Sequence, residues 1–240
     1  MSRASMTAAM SSLARPPIYG IGSWRVDGES TDFEIGWDDF ERDTDWAEGM
    51  LSASGVAPGD LVLVTSHNWE NPWFSPVVHA LRRLKAVYLT AEPFAWDARR
   101  VLMFLQRLPV KAFVGLGAET LEGLKTTGAD TADLLGGVDI LWARHDALPH
   151  MSPLGLDALP LVPLGPALVM GTADMGEAFV NDAEWSISAK GAELLVSTVA
   201  ARRARFDSLS TGLRGQVGPV TGRGRVVTFD IGAESGGANV

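Results

Sequence analysis

The segment Gly55-Val-Ala-Pro-Gly-Asp-Leu-Val-Leu-Val-Thr65 decides the fold. Gly55 stands where a helix C-terminal cap belongs, and Pro58-Gly59-Asp60 makes a turn. The run from Leu61 to Thr65 is short, continuous and apolar, the pattern of a parallel strand buried on both faces. Upstream, Trp37, Phe40, Thr44, Ala47 and Leu51 recur at three- and four-residue steps, which gives a helix one apolar face. Downstream, Phe74, Val77, Val78, Leu81 and Leu84 draw a second helical stripe before a strand at 86–90. The unit repeats: Val101, Leu102, Leu105 and Leu108 precede a strand at 111–115, and a helix near 118–125 precedes one at 138–142. This alternation predicts an α/β core with a parallel sheet flanked by helices.

The pattern changes after about residue 154. Pro153, Pro160, Pro163 and Pro166 exclude a long helix. Strand-like runs at 167–170, 184–188, 193–199 and 225–229, separated by Gly and polar residues, predict a small antiparallel β subdomain. The expected organisation is a flexible leader over 1–16, an α/β core over 17–152, a β-rich subdomain over 153–231 and a disordered Gly-rich tail over 232–240. Residues 20–30 read as turn-rich.

A formal net charge of −9 argues against nucleic acid and anionic membranes as partners, since both reward clustered cations. The one compact basic run, Arg202-Arg203-Ala204-Arg205, reads as a solvated strand end, and the acids of 38–48 as a solvated helix face. Absence of Cys excludes disulfides, thiolate catalysis and Cys-bound zinc, and fits a reducing compartment, so a cytoplasmic location is expected. His67, His79, His145 and His150 lack metal-ligand spacing; neither a metal nor a cofactor is expected. No apolar run reaches the roughly 18–20 residues of a membrane span.

The best candidate site is the loop from Ser66 to Phe74, because open α/β sheets place ligands at the carboxyl ends of their strands. His67 is a candidate acid or base and Glu70 the group that orients it. Trp69 and Trp73 are candidates to stack on an aromatic ligand. Gly115-Leu-Gly117 follows another strand and offers a second ligand-side turn, or simply close strand-to-helix packing. The sequence holds no Gly-x-Ser-x-Gly elbow, Walker loop, dinucleotide fingerprint or His-Glu-x-x-His.

From about residue 35 to 230 the chain resembles the adenylate-forming acyl-CoA ligases, in particular the phenylacetate-CoA ligase branch. The resemblance rests on the order of short motifs. Gly55 to Thr65 is similar to that family's GV-x-PGD turn and strand, Leu81 to Leu89 to its ERLGA-T-V-I-P stretch, and Leu105 to Gly117 to L-x-x-L-x-P-T-V-L-x-G. Gly165-Pro-Ala, Gly176-Glu177, Glu184-Trp185, the segment 193–198 and Ser210-Thr-Gly212 follow in family order.

The resemblance implies a loop before the Trp37 helix that holds ATP phosphates, an acid for magnesium and an Asp for the ribose. The corresponding places here read Gly20 to Ser30 with Asp27 and Glu29, Ala158 to Gly165 without hydroxyl or acid, and Leu213. It also implies that the family's N-terminal portion and its mobile C-terminal domain, with the catalytic lysine, lie outside these 240 residues. The expectation is therefore a catalytically degenerate ligase homologue. It would act as a homo-oligomer, or as a subunit beside a full-length ligase or pathway enzyme, with an apolar or aromatic acyl pocket near His67 and Trp73. The alternative is a small enzyme acting on an acyl or aromatic substrate without ATP, with His67 and Glu70 as acid–base groups.

Overall fold

A computed structural model describes residues 17–231; the expected leader and Gly-rich tail lie outside the described residues. The chain opens with strands β1 (Ile18–Val26) and β2 (Glu29–Gly36), an antiparallel hairpin in place of the turn-rich segment expected at 20–30. Its tip is Asp27-Gly28, both at positive φ (49° and 84°), the two-residue turn that suits the right-handed twist of paired strands. Trp24, Phe33 and Ile35 alternate along the hairpin's buried face. Helix α1 (Trp37–Ala53) follows and buries the predicted stripe of Phe40, Thr44, Ala47 and Leu51.

The predicted alternation then appears in full. Strands β3 (Leu61–Thr65), β4 (Val87–Ala91), β5 (Val110–Leu116) and β6 (Ile140–Ala143) lie parallel in the order β4-β3-β5-β6. Helices α2 (Asn71–Arg83), α3 (Ala98–Arg107), α4 (Ala118–Thr126) and α5 (Thr131–Gly136) connect them. The short α6 (Leu148–Met151) leads on to β7 (Leu159–Leu164). Period-two alternation explains why these strands are apolar throughout. Leu63, Phe113 and Leu141 face the layer of α3, α4 and α5, while Val62, Val64, Val114 and Trp142 face α1, α2 and the hairpin.

β7 is the hinge of the architecture. Its start pairs parallel with β6, and its end pairs antiparallel with β8 (Ala167–Gly171). From there the sheet continues through β9 (Ala178–Val180), β10 (Trp185–Lys190), β11 (Glu193–Thr198), β12 (Leu209–Thr221) and β13 (Gly224–Phe229). One 11-stranded sheet results, ordered β10-β11-β12-β13-β9-β8-β7-β6-β5-β3-β4. The expected antiparallel strands thus extend the parallel sheet. Pro163 is tolerated for a geometric reason. Leu164 and Ala167 close a two-residue turn, so Pro163 and Leu168 form a non-hydrogen-bonded pair. The proline nitrogen then points toward the side where β6 has already ended.

Two charge expectations are corrected. Arg202 is no solvated strand end: its side chain is 6 % exposed and bonds Asp43 at 2.6 and 2.8 Å and Glu184 at 2.7 Å. The guanidinium also lies 4.4 Å over the Trp185 ring. Nor is the acidic helix face simply solvated. Asp39 is buried and bonded to Arg42, while Glu41, Asp45 and Glu48 converge on Arg83. No helix among the described residues is long and apolar enough to cross a membrane.

Candidate ligand and partner site

Four turns meet at the carboxyl ends of the parallel strands: those after β3, β4, β5 and β6. After β3, His67 opens a single 3-10 turn, Asn68–Glu70, and its backbone N–H donates to Glu70 Oε2 at 2.7 Å. Glu70 is 2 % exposed, and its carboxylate is held by both terminal nitrogens of Arg144, one of them at 2.8 Å. Arg144 follows β6 and ties three turns together. It donates to Thr65 O and Gly115 O, each at 2.8 Å, and lies 4.7 Å over the Phe74 ring.

Gly115 has to be glycine for this closure. Its φ is +88°, and a Cβ there would sit 2.3 Å from Thr65 O and 2.8 Å from Phe74. Gly117 caps α4 and lies against the Arg144 side chain. Both glycines thus stand in close contact with neighbouring turns.

His67 keeps different company. Its ring stacks on Trp69 at 4.1 Å and 9° and meets Phe94 edge-on at 4.7 Å; Phe94 in turn stacks with Trp96 at 5.8 Å. Trp69 and Trp96 are 51 % and 65 % exposed, so the group forms an open aromatic shelf. Nδ1 of His67 is buried without a partner among the described residues. Burial holds this imidazole below its ordinary pKa, Glu70 pulling against that shift and Arg144 adding to it. Glu70 does not orient the ring: it accepts the backbone N–H of His67 and is otherwise committed to Arg144. A stacked imidazole beside two exposed indoles is equipped to bind flat apolar groups.

Trp73, the other predicted ligand contact, does not reach this shelf. Helical periodicity turns it inward with Val77 and Ala80, to 2 % exposure. It donates Nε1–H to Gly165 O at 3.1 Å and meets Trp24 and Phe33 of the hairpin edge-on, at 5.9 and 6.1 Å. Gly165 in turn lies against Leu209 and Thr211, and Leu213 beyond them is 5 % exposed. Hairpin, Gly165 turn and β12 are the segments the ligase resemblance assigns to phosphate, magnesium and ribose. They do converge, but on indole and phenyl rings. The void beside Trp73 measures about 20 Å³, and one beside Phe33 and Phe206 about 10 Å³, room for about one water each. The hairpin pairs strand on strand where the resemblance implies an anion-binding loop, and Asp27 and Glu29 stand exposed at its tip. A roomier groove of about 380 Å³ lies on the opposite face of α2, lined by Tyr19, Phe40, Asn71, His79 and Arg82 among others.

Sequence reasoning reached His67, Glu70 and Trp69 but missed Arg144, Phe94 and Trp96. Arg144 had one available signal, a cation directly after an apolar strand. Its partner lies 74 residues away, which no local pattern reports.

No family model and no curated protein sequence matches the chain. Solved structures do match. A 2-hydroxyisobutyryl-CoA ligase in an open conformation with 2-HIB-AMP and CoA superposes with a TM-score of 0.65 at 15% identity, over 90% of this chain and 56% of that one. The ATP-bound RpMatB-BxBclM chimera B3 gives 0.58 at 11% identity, over 94% and 52%. The anthranilate-CoA ligase AuaEII with anthranoyl-AMP gives 0.58 at 11% identity, over 87% and 46%. The chain thus spans about half the length of the ligases it matches, and over that half it has the fold of the adenylate-forming acyl-CoA ligases.

Proposed function

We propose that this chain is a catalytically degenerate acyl-CoA-ligase-fold protein that works as a binding or partner subunit. The observation that carries the reading is the packing around Trp73. A nucleotide needs a pocket of several hundred Å³ with convergent polar groups. The place where the resemblance puts one is filled by the packed rings of Trp24, Phe33 and Trp73. Leu213 accepts no hydrogen bond, and a ribose hydroxyl buried against it goes unpaired at a cost of about 1–3 kcal/mol.

The aromatic shelf of His67, Trp69, Phe94 and Trp96 supplies the binding surface. Exposed indoles at the carboxyl end of a parallel sheet suit an apolar or aromatic acyl group, or an apolar segment of a partner enzyme. In this reading the acyl-binding surface expected near His67 and Trp73 lies on the His67 side, since Trp73 is buried in the core.

Isothermal titration calorimetry with ATP and AMP, with and without magnesium, tests the degenerate part. Flat traces are expected; saturable heat with ATP from this chain alone would overturn it. Native mass spectrometry of the purified protein tests the binding part, through a retained acyl ligand or partner chain whose occupancy falls in Trp69→Ala. A ligand or partner held equally well by that variant would remove the shelf from the reading.

A further inference from the structure

Helix α2 buries Trp73, Val77, Ala80 and Leu81, and turns Asn71, Ser75, Val78, His79 and Arg82 away from them. The second set recurs at the three- and four-residue steps of a single helical stripe. From Asn71 to Arg82 that stripe runs about 16 Å, at the helical rise of about 1.5 Å per residue. It forms one wall of the groove of about 380 Å³; Tyr19 on β1 and Trp37 and Phe40 on α1 form the other. Small-molecule sites span about 300–1,000 Å³, so the groove has room where the packed rings around Trp73 leave none.

The two walls differ in chemistry. The aromatic wall is fixed by its own packing: Tyr19 stacks on Phe40 at 4.1 Å and 21°, and meets Trp37 edge-on at 5.1 Å. The α2 wall carries an amide, a hydroxyl, an imidazole and a guanidinium. His79 links the walls, its ring 5.3 Å from that of Phe40.

Arg82 sets the sign of the charge. Successive helical residues point about 100° apart. Arg83 therefore reaches Glu41, Asp45 and Glu48 of α1, while Arg82 lines the groove. Neither the Arg82 guanidinium nor the His79 ring has a hydrogen-bond or ion-pair partner among the described residues. No acid stands among the described residues lining the groove, in a chain of formal net charge −9. A planar guanidinium fork pairs bidentately with a carboxylate, and one cation balances its single charge. Stacked rings along the facing wall suit a flat or extended apolar body.

We propose that this groove binds a small organic carboxylate, its acid group on Arg82 and its aromatic or alkyl body along Tyr19, Phe40 and Val78. This site goes beyond the function proposed above and does not rest on the His67 shelf.

Calorimetric titration with 4-phenylbutyrate and octanoate, each against its uncharged primary amide, reads the outcome. Both acids bind saturably, each at least about ten-fold more tightly than its amide, as a hydrogen bond to a charged group implies. Arg82→Gln removes that preference and leaves the far-ultraviolet circular dichroism unchanged, since the side chain is exposed. Arg107→Gln, an exposed cation on α3 across the sheet, leaves the preference in place. Ser75→Trp fills the groove midway and abolishes binding of acid and amide alike. No saturable binding of either acid at millimolar concentration overturns the proposal. So does an amide that binds as tightly as its acid, or a preference that survives Arg82→Gln. A folded Ser75→Trp protein that still binds both acids places them elsewhere and overturns it as well. Heat with ATP would sink the degenerate-ligase reading and leave the comparison of acid with amide standing, so the two failures are distinguishable.

Discussion

Replacing Arg144 by Met leaves the Glu70 carboxylate, 3 % exposed as a side chain, without its cation. Breaking a buried ion pair from one side costs about 3–5 kcal/mol, because the orphaned charge stays desolvated. Arg144→Met is therefore expected to lower the urea midpoint by an amount in that range; a loss under about 1 kcal/mol, the range of exposed pairs, would show that water reaches Glu70 freely. Trp73→Ala is expected to cost about 3–5 kcal/mol, as large-to-small changes at aromatic core positions do. A near-neutral result would mean that the rings around Trp73 do not form a packed plug. His67 supplies the pH dependence. Its folded pKa lies below the ordinary 6.5, so the unfolded chain takes up the proton first as pH falls. Stability is then full above the ordinary imidazole range and declines as pH drops through it toward the lowered folded value. His145, also held down by burial, contributes with the same sign. Replacing both by Gln should flatten the stability profile across that window, and an unchanged slope would assign it to other groups.

At the scale of elements, α1 is tied to its surroundings by two ion clusters of unequal worth. Arg83 on α2 gathers Glu41, Asp45 and Glu48, but its side chain is 32 % exposed and all three acids more so. Arg202 holds Asp43 and Glu184 with 6 % exposure and anchors the segment after β11 to α1. Arg83→Ala is expected to cost no more than about 1 kcal/mol, whereas Arg202→Met should cost about 3–5 kcal/mol. Equal losses in urea unfolding would refute the distinction. The same contrast explains what was legible in the sequence. The strands β3 to β6 and helices α1 to α4 announce themselves through local period, 2 or 3.6, and their order follows from alternation. The Arg202 cluster joins residues 159 apart in sequence, and nothing near either end marks it. Strand β7 was hidden by Pro160 and Pro163, whose missing N–H groups matter only once its neighbours' lengths are known. The hairpin did carry a signal, Asp27-Gly28 between alternating residues, and reading that stretch as turns overlooked it. His67 and Trp69 were found by their position after a strand; Trp73 misled because an aromatic on a helix can face either way.

At the scale of the molecule, the change from parallel to antiparallel pairing looks in sequence like a boundary near residue 152, yet both cores run across it. One cluster includes Leu63 and Phe113 together with Val162, Val196 and Val227; the other joins Trp73 and Val114 to Leu161, Phe179 and Val226. Strand β7 pairs with neighbours from both halves, and Arg42 on α1 reaches Glu184 beside β10 at 2.7 Å. Opening either half exposes apolar surface of the other, so partial unfolding gains little chain entropy for a large loss of burial. Urea unfolding of the whole chain is therefore expected to be a single transition, with tryptophan fluorescence and far-ultraviolet circular dichroism coinciding. The indoles make that comparison sensitive, since Trp24, Trp73 and Trp142 lie on the first side of residue 152 and Trp185 on the other. A fragment of residues 17–152 should show no cooperative transition of its own, because both cores lose buried members, Val162, Val196 and Val227 among them from one and Leu161, Met170, Phe179 and Val226 from the other. Two separated transitions, or a fragment that unfolds sigmoidally by itself, would mean that the antiparallel strands fold as an independent unit against the parallel sheet.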